Sequence, residues 1–268
     1  MSNSIHYNGT DLSGASYGLT VEKGTVPVLS SPRRDVQSSG RGYGGAQVGT
    51  GFEPLTISIN AQVIGSSESD LTDKLDALTY LLDPQNGEKS IRFDDWKSGR
   101  YWKGVLASAL DPQYQNPSSV KLQLQFVCVD ARAYRTTDVS TDYTISATPQ
   151  ALTIPATGAV VGNAKPDPTW IIKNTSGGSV SSIVFANSTT GETVTLTATL
   201  ANNNWLRITT GMGGTVEKST DSGGSWTSAI SYASLPLVPS LAPNVANSIT
   251  VTGLSAGTLS LTYTPRYL

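Results

Sequence analysis

The chain has 268 residues, a formal net charge of −2, one histidine and one cysteine. That balance gives no electrostatic reason for a polyanionic partner, and a lone cysteine excludes an intramolecular disulfide framework. No apolar run reaches the roughly 20 residues of a membrane-crossing helix. The opening, from Met1 to His6, has neither a basic region nor an apolar core, so no secretory signal is expected and folding in a cytoplasm is.

In chain order, residues 4–8 and 17–22 read as short strands about an Asn8-Gly9 turn, with Val26–Leu29 as a third. Residues 31–54 are Gly-rich and carry Arg33, Arg34 and Arg41. They read as a long loop, of the kind that is more often functional or partner-bound than idle. From Leu55 to Val63 apolar and polar residues alternate, as in a strand with one buried face. After Gly65 the period changes: Leu71, Leu75, Leu78 and Leu82 fall on one helical stripe. Ser66, Ser67 or Ser69 caps its start, Glu68, Asp70 and Asp73 favour the first turns, and Asp83-Pro84 with Asn86-Gly87 ends it. Four leucines on one stripe need a sheet to cover, so the first half is expected to be a β-sheet, barrel or sandwich with one helix packed on it. Ser90–Asp94, Tyr101–Leu110 and Val120–Val129 complete its strands.

The second half differs in chemistry. Up to Asp138 there are 13 Lys+Arg and 15 Asp+Glu; after it there are 5 of each, and Ser and Thr take over. This shift sets a boundary near 131–145, giving domains 1–138 and 139–268. Strand signals recur at 143–146, 151–155, 169–174, 180–186, 193–200, 205–208, 216–219, 226–230, 248–251 and 259–263, separated by Gly and Asn turns. Regular short strands of this kind predict an antiparallel sandwich or jelly roll.

The motifs with chemical overtones are weak. Gly40-x-Gly42-x-x-Gly45 matches a dinucleotide fingerprint by letter, but that fingerprint needs a strand before it and a helix opening from it. His6, in a predicted strand, would have to serve any triad. Cys128 shares a core face with Phe126 and reads as an inert thiol. Asp94 and Asp95 are adjacent and so point to opposite faces of a strand. No catalytic set, cofactor or metal site is predicted. Ser219-Thr220-Asp221-Ser222-Gly223-Gly224-Ser225-Trp226 resembles the Asp-box of sialidases and other β-propellers, where it stabilises a hairpin and is not catalytic. Trp170, Trp205 and Trp226 are candidates for a sugar-stacking platform, against the plainer expectation of sandwich core.

Several segments act together. Ile5-His6-Tyr7-Asn8-Gly9-Thr10-Asp11-Leu12, Leu78-Thr79-Tyr80-Leu81-Leu82 and Phe126-Val127-Cys128-Val129-Asp130-Ala131-Arg132-Ala133-Tyr134 occur in this order. Pro168-Thr169-Trp170-Ile171-Ile172, the run from Ala242 to Ile249 and the ending Leu261-Thr262-Tyr263-Thr264-Pro265-Arg266-Tyr267 follow. Over most of the chain this pattern resembles the distal tail proteins of long-tailed, non-contractile bacteriophages; one departure is Asp130-Ala131, where Asp-Pro is expected at the hinge.

The resemblance implies a mainly β chain: a split-barrel, tail-tube-like first domain with one helix, and a galectin-like β-sandwich outside it. It implies a virion protein and no enzyme: a homo-hexamer whose ring joins the tail tube protein to tip, hub or fibre proteins, with DNA passing through the lumen without specific binding and no membrane contact. Residues 31–54, with Arg33, Arg34 and Arg41, are then the candidate subunit-contact loop. The alternative is a carbohydrate-binding module on a virion or cell surface, using the three tryptophans. A glycan hydrolase is disfavoured for want of a convergent acid pair.

Overall fold

The computed structural model describes residues 4–21, 32–38, 45–94, 99–197, 199–210, 214–229 and 238–268, with the backbone path alone over 32–38 and 45–51. The chain divides into two compact units, Met1–Tyr134 with Leu268, and Arg135–Tyr267. The division falls just before the compositional boundary.

In the first unit, β1 (Ile5–Tyr7) and β2 (Thr10–Asp11) form a tight hairpin. β3 (Leu19–Val21) lies on β6 (Leu55–Ile64). β7 (Lys89–Phe93), β8 (Arg100–Leu106), β9 (Gln113–Asn116), β10 (Ser119–Cys128) and β11 (Ala133–Arg135) complete the set around it. The sheet path is β2-β1-β7-β8-β10-β6-β3, with β9 added to β10. Leu12 ties the two ends of this path together, its N–H donating to Ile5 O (2.9 Å) and its carbonyl accepting from Leu19 N–H (2.9 Å). The sheet therefore curls into a split barrel.

β6 and β10 run antiparallel in unbroken register from Ser119↔Ile64 to Cys128↔Leu55. Strict alternation puts Leu55, Ile57, Ile59, Ala61 and Val63 with Val120, Leu122, Leu124, Phe126 and Cys128 on the buried face. Against the sheet sits α1 (Glu68–Leu81), among the described residues the one α-helix. Ser67 is its cap, Oγ accepting from Asp70 N–H, and the Asp70 carboxylate reaches back to Ser66 N–H at 2.6 Å. Leu71, Leu78 and Leu82 are at most 1% exposed, worth about 1.5–3 kcal/mol of burial each. Leu75, expected on the same stripe, is only half-buried, since it lies toward the stripe's margin. A 3₁₀ turn at Pro84–Asn86, capped by Asp83, ends the helical stretch where Pro and Gly predict it.

Cys128 is fully buried, and burial, with the Glu88 and Asp130 carboxylates adding, pushes its thiol up to about 12. It is the inert thiol that its place beside Phe126 predicts. A thiol reagent at pH 8 should leave the native protein unlabelled for minutes and modify it fully in denaturant; rapid native labelling would contradict this packing.

The reading of 31–54 as a structureless loop is corrected. β4 (Pro32–Ser38) and β5 (Gly45–Phe52) pair antiparallel from Pro32↔Phe52 to Ser38↔Gly45. The register slips at Val48, a β-bulge between Asp35↔Gly49 and Val36↔Gln47. Glycine weakens a strand without forbidding it, and Val36, Val48, Thr50 and Phe52 supply strand-forming residues between the glycines. Gly45 opens a strand, so the Gly40-x-Gly42-x-x-Gly45 match has no helix to serve. Arg41, Gly40, Gly42, the proposed strand Val26–Leu29 and Asp95 lie outside the described residues.

The second unit is a two-sheet antiparallel sandwich. One sheet is ordered β12 (Val139–Ile145), β21 (Gly257–Tyr263), β14 (Thr169–Asn174), β17 (Trp205–Thr209), β18 (Val216–Ser219), β19 (Thr227–Ser228). The other is ordered β13 (Gln150–Ile154), β20 (Asn247–Thr252), β15 (Ile183–Asn187), β16 (Glu192–Leu196). Inward residues of both share one core, including Trp170, Ile172, Phe185, Leu206, Ile208, Val251 and Leu259. The short β22 (Arg266–Tyr267) bridges back to Ala164.

Buried asparagines pin the loops to this core. Asn247 donates from Nδ2 to Ala242 O (3.0 Å) and accepts at Oδ1 from Ala242 N–H (2.8 Å) and Asn187 Nδ2 (3.1 Å). Asn187 also donates to Ser240 O (2.7 Å) and accepts from Thr189 N–H (3.0 Å). Both are at most 1% exposed.

Candidate assembly surfaces

The outward face of β6 and β10 is polar and almost uncharged. Cross-strand pairs Val127↔Thr56, Gln125↔Ser58, Gln123↔Asn60 and Lys121↔Gln62 line it, the other side of the alternation that buries the core face. Where β8 leaves β10, past Leu106↔Phe126, this face opens into a cleft of about 480 Å³ lined by Asn60, Ser108, Asp111, Gln113, Lys121 and Gln125 among others. Asp111 is the one carboxylate lining it, so it offers no acid pair. Among the described residues no group of three or more His, Cys, Asp or Glu is placed to hold a metal ion, and no helix is long and apolar enough to cross a membrane.

The arm formed by β4 and β5 makes a separate two-stranded sheet that pairs with no other strand among the described residues. An isolated hairpin is marginally stable at best in water. Arg33 and Arg34 stand in β4, at register positions opposite Gly51 and Thr50. Phe52, at the arm's base, is 40% exposed.

The three tryptophans do not form one platform. Trp170 is fully buried, edge-on to Phe185 at 5.5 Å, and offers no face to a ligand; this corrects its reading as a stacking residue. Trp205 and Trp226 are half-exposed, and each carries a cation over its ring: Lys173 Nζ at 5.1 Å from Trp205, and the Arg207 guanidinium at 4.3 Å from Trp226. Arg207 is itself held by Glu217 at 2.8 Å. Strand alternation carried this signal, since Trp170 shares parity with Ile172 while Trp205 opposes Leu206 and Ile208.

The Asp-box segment is a well-bonded hairpin. The Ser219 hydroxyl donates to Asp221 Oδ1 (2.6 Å) and accepts from Gly223 N–H (3.0 Å), and Asp221 Oδ1 accepts from Ser225 N–H (2.9 Å). The Ser219 hydroxyl and then the Ser225 N–H hold the Asp221 carboxyl down at about 2.

His6 is in β1, its Nε2 2.9 Å from Asp94, which also meets Arg92 at 3.3 Å. Among the described residues His6 makes no hydrogen bond to a serine, threonine or cysteine, so the cluster reads as a hydrogen-bonded strand surface. At the end of β10, Asp130 gathers Arg132 N–H (3.1 Å), Arg132 Nε (2.7 Å) and the Tyr134 hydroxyl. Burial pushes Asp130 up, but the bonds from Arg132 and Tyr134 outweigh it and leave the carboxyl below its ordinary value. Its folded pKa lies below its unfolded one, so its stabilisation is full above about pH 4 and lost as pH falls through the folded value. The stability gap between wild type and Asp130→Asn in urea should therefore narrow from pH 6 to pH 3. A gap that widens would reverse the sign assigned here.

Residues 12–128 match the phage tail protein RIFT-related domain family. The match lies wholly within the first unit. The whole chain has the fold of a distal tail protein: it is similar to the Dit (gp 19.1) protein of phage SPP1, described as a paradigm of the hub adsorption apparatus of phages infecting Gram-positive bacteria. That match has TM-score 0.75 and 18% identity and covers 100% of both chains. It is also similar to a chain of the phage P2 baseplate in its activated conformation with Ca, with TM-score 0.53 and 9% identity over 98% of both chains. No curated protein matches the chain in sequence.

Proposed function

We propose that the chain is a structural, non-enzymatic subunit of a phage tail hub. Six copies close into a ring that joins the tail tube to the tip or baseplate, and DNA passes through its lumen. The observation that carries this reading is the fold shared with a distal tail protein over the full length of both chains. Two features of the chain support it. The arm of β4 and β5 has no partner strand among the described residues, as expected of a hairpin completed on assembly. The outward face of β6 and β10, with Lys121 as the one charged residue among its cross-strand pairs, suits a passage for DNA, because a dense basic lining would bind phosphate and slow transit.

Light scattering and negative-stain microscopy of the purified chain test this: six-fold rings with a central hole are expected, and a strict monomer at every concentration, also in the presence of tail tubes, would overturn it. Replacing residues 30–52 by a flexible linker should leave a folded monomer without rings; a ring that survives removes the arm from the contact. Carbohydrate binding by the second unit now rests on Trp205 and Trp226 alone, and glycan binding lost on Trp205→Ala or Trp226→Ala would favour it.

A further inference from the structure

Tyr80, on the solvent side of α1, is 83% exposed, the most exposed large hydrophobic side chain among the described residues. Asp73 and Asp76 precede it at helical spacing, so the three side chains follow one stripe, away from the buried Leu71, Leu78 and Leu82. Among the described residues neither carboxylate forms an ion pair. Lys74, the single base of residues 66–83, is held by Asp70 (3.1 Å) and Ile64 O (2.9 Å). An aromatic ring left in water on a charged helix face is a poor use of apolar surface unless something covers it, and aromatic residues are enriched where proteins meet.

A matching face lies elsewhere on the same unit. β7 and β8 carry Lys89, Arg92, Arg100 and Lys103 and no acid. Ile91, Phe93 and Trp102 are buried, so alternation turns Arg92, Tyr101 and Lys103 outward. The register Ser90↔Lys103 and Arg92↔Tyr101 makes Arg92 and Lys103 diagonal neighbours on that face, roughly 7–8 Å apart. Lys103 is exposed, its Nζ held 4.9 Å over the Tyr134 ring, which stacks on Tyr101 at 5.4 Å. Arg92 is 40% exposed and is steadied by Asp94 at 3.3 Å. Two long cationic side chains at this spacing can span two carboxylates one helical turn apart, themselves about 5–6 Å from each other. α1 packs on β6, whereas β8 and then β7 lie beyond β10 from it in the sheet, so the two patches are distinct.

Resting on the ring reading, we propose that the Asp73–Asp76–Tyr80 stripe of one copy docks on the outward β7–β8 face of the next. Asp73 and Asp76 meet Arg92 and Lys103 in charge-assisted hydrogen bonds, and the Tyr80 ring covers the Arg92 guanidinium. Because the patches differ, the contact is heterologous: each copy offers its acid to one neighbour and its base to the other, and rotation closes the series. A net charge of −2 gives no attraction between copies; charge separated onto two faces does, and it fixes the direction in which each subunit enters the ring.

The test is charge exchange, read by sedimentation velocity on the full chain with circular dichroism to confirm folding. Asp73→Lys with Asp76→Lys, and separately Arg92→Glu with Lys103→Glu, should each raise the concentration for half-assembly about tenfold or more, and the four changes together should restore most of that loss. Lys103→Glu alone, on an exposed side chain, should weaken assembly in the same direction and keeps the test readable where Arg92→Glu disturbs folding through Asp94. Chains bearing Asp76→Cys and chains bearing Lys103→Cys, mixed before assembly, should be joined by a bismaleimide, and neither should join to itself; Cys128 is buried and takes no part. Rings that form equally well in both charge-reversed chains, a combined variant no better than either alone, or mixed cysteine chains that stay unlinked would overturn the docking and leave the ring reading standing. A wild-type chain that never assembles would overturn the ring reading and the docking with it.

Discussion

Asn247→Ala is expected to destabilise the second unit by about 3–5 kcal/mol, among the largest effects of any single side-chain truncation in the chain. Asn247 is fully buried, and both ends of its amide are in use. Truncation strands the Ala242 N–H and carbonyl and removes the acceptor of one Asn187 Nδ2 hydrogen. Each buried group left without a partner costs about 1–3 kcal/mol. The segment 238–242, which includes the core residues Val238 and Leu241, is tied down through these bonds and through Asn187 to Ser240 O. Asn247→Asp should be nearly as costly, since it loses the donors and adds a buried charge. Chemical denaturation followed by tryptophan fluorescence reads the effect, and a loss below about 1 kcal/mol would mean that water replaces the amide's bonds.

Gly253→Ala should cost about 3 kcal/mol or more. Gly253 turns the chain between β20 and β21 at φ +92, and a methyl group there would collide with the Ser182 carbonyl oxygen. Left-handed strain and a collision with backbone act together, and neither can be relieved by turning a side chain. Gly158 is the control: its φ is +79, but an added Cβ meets nothing within 4 Å. Gly158→Ala should cost only the conformational strain, about 1–2 kcal/mol. Equal melting-temperature losses in the two variants would mean that the close approach to Ser182 is absorbed by a shift of the neighbouring strand.

What the sequence reveals follows from which physical signals are local. Alternation in Leu55–Val63 and Val120–Cys128 predicts both the strands and their buried faces, because one face meets the core and the other does not. The helix is equally legible, since leucine spacing, the Ser67 cap and Asp83-Pro84 all agree. The arm is not legible: its glycines break alternation, and its pairing is with itself rather than with a core that would impose a pattern. Trp170 and Trp205 look alike as residues, and only the parity of their neighbours separates core from surface. Nothing local in the sequence marks Asn187 and Asn247, because their value lies in contacts that include segments some 50 to 60 positions away in the chain.

The long ladder between β6 and β10 also decides how the first unit bears load. Ten residue pairs face one another in continuous register. A pull that drags the two strands past each other along their length strains every rung at once. A pull that peels one strand away from its end strains a single rung and then the next. The same set of hydrogen bonds is therefore strong in one direction and weak in the other.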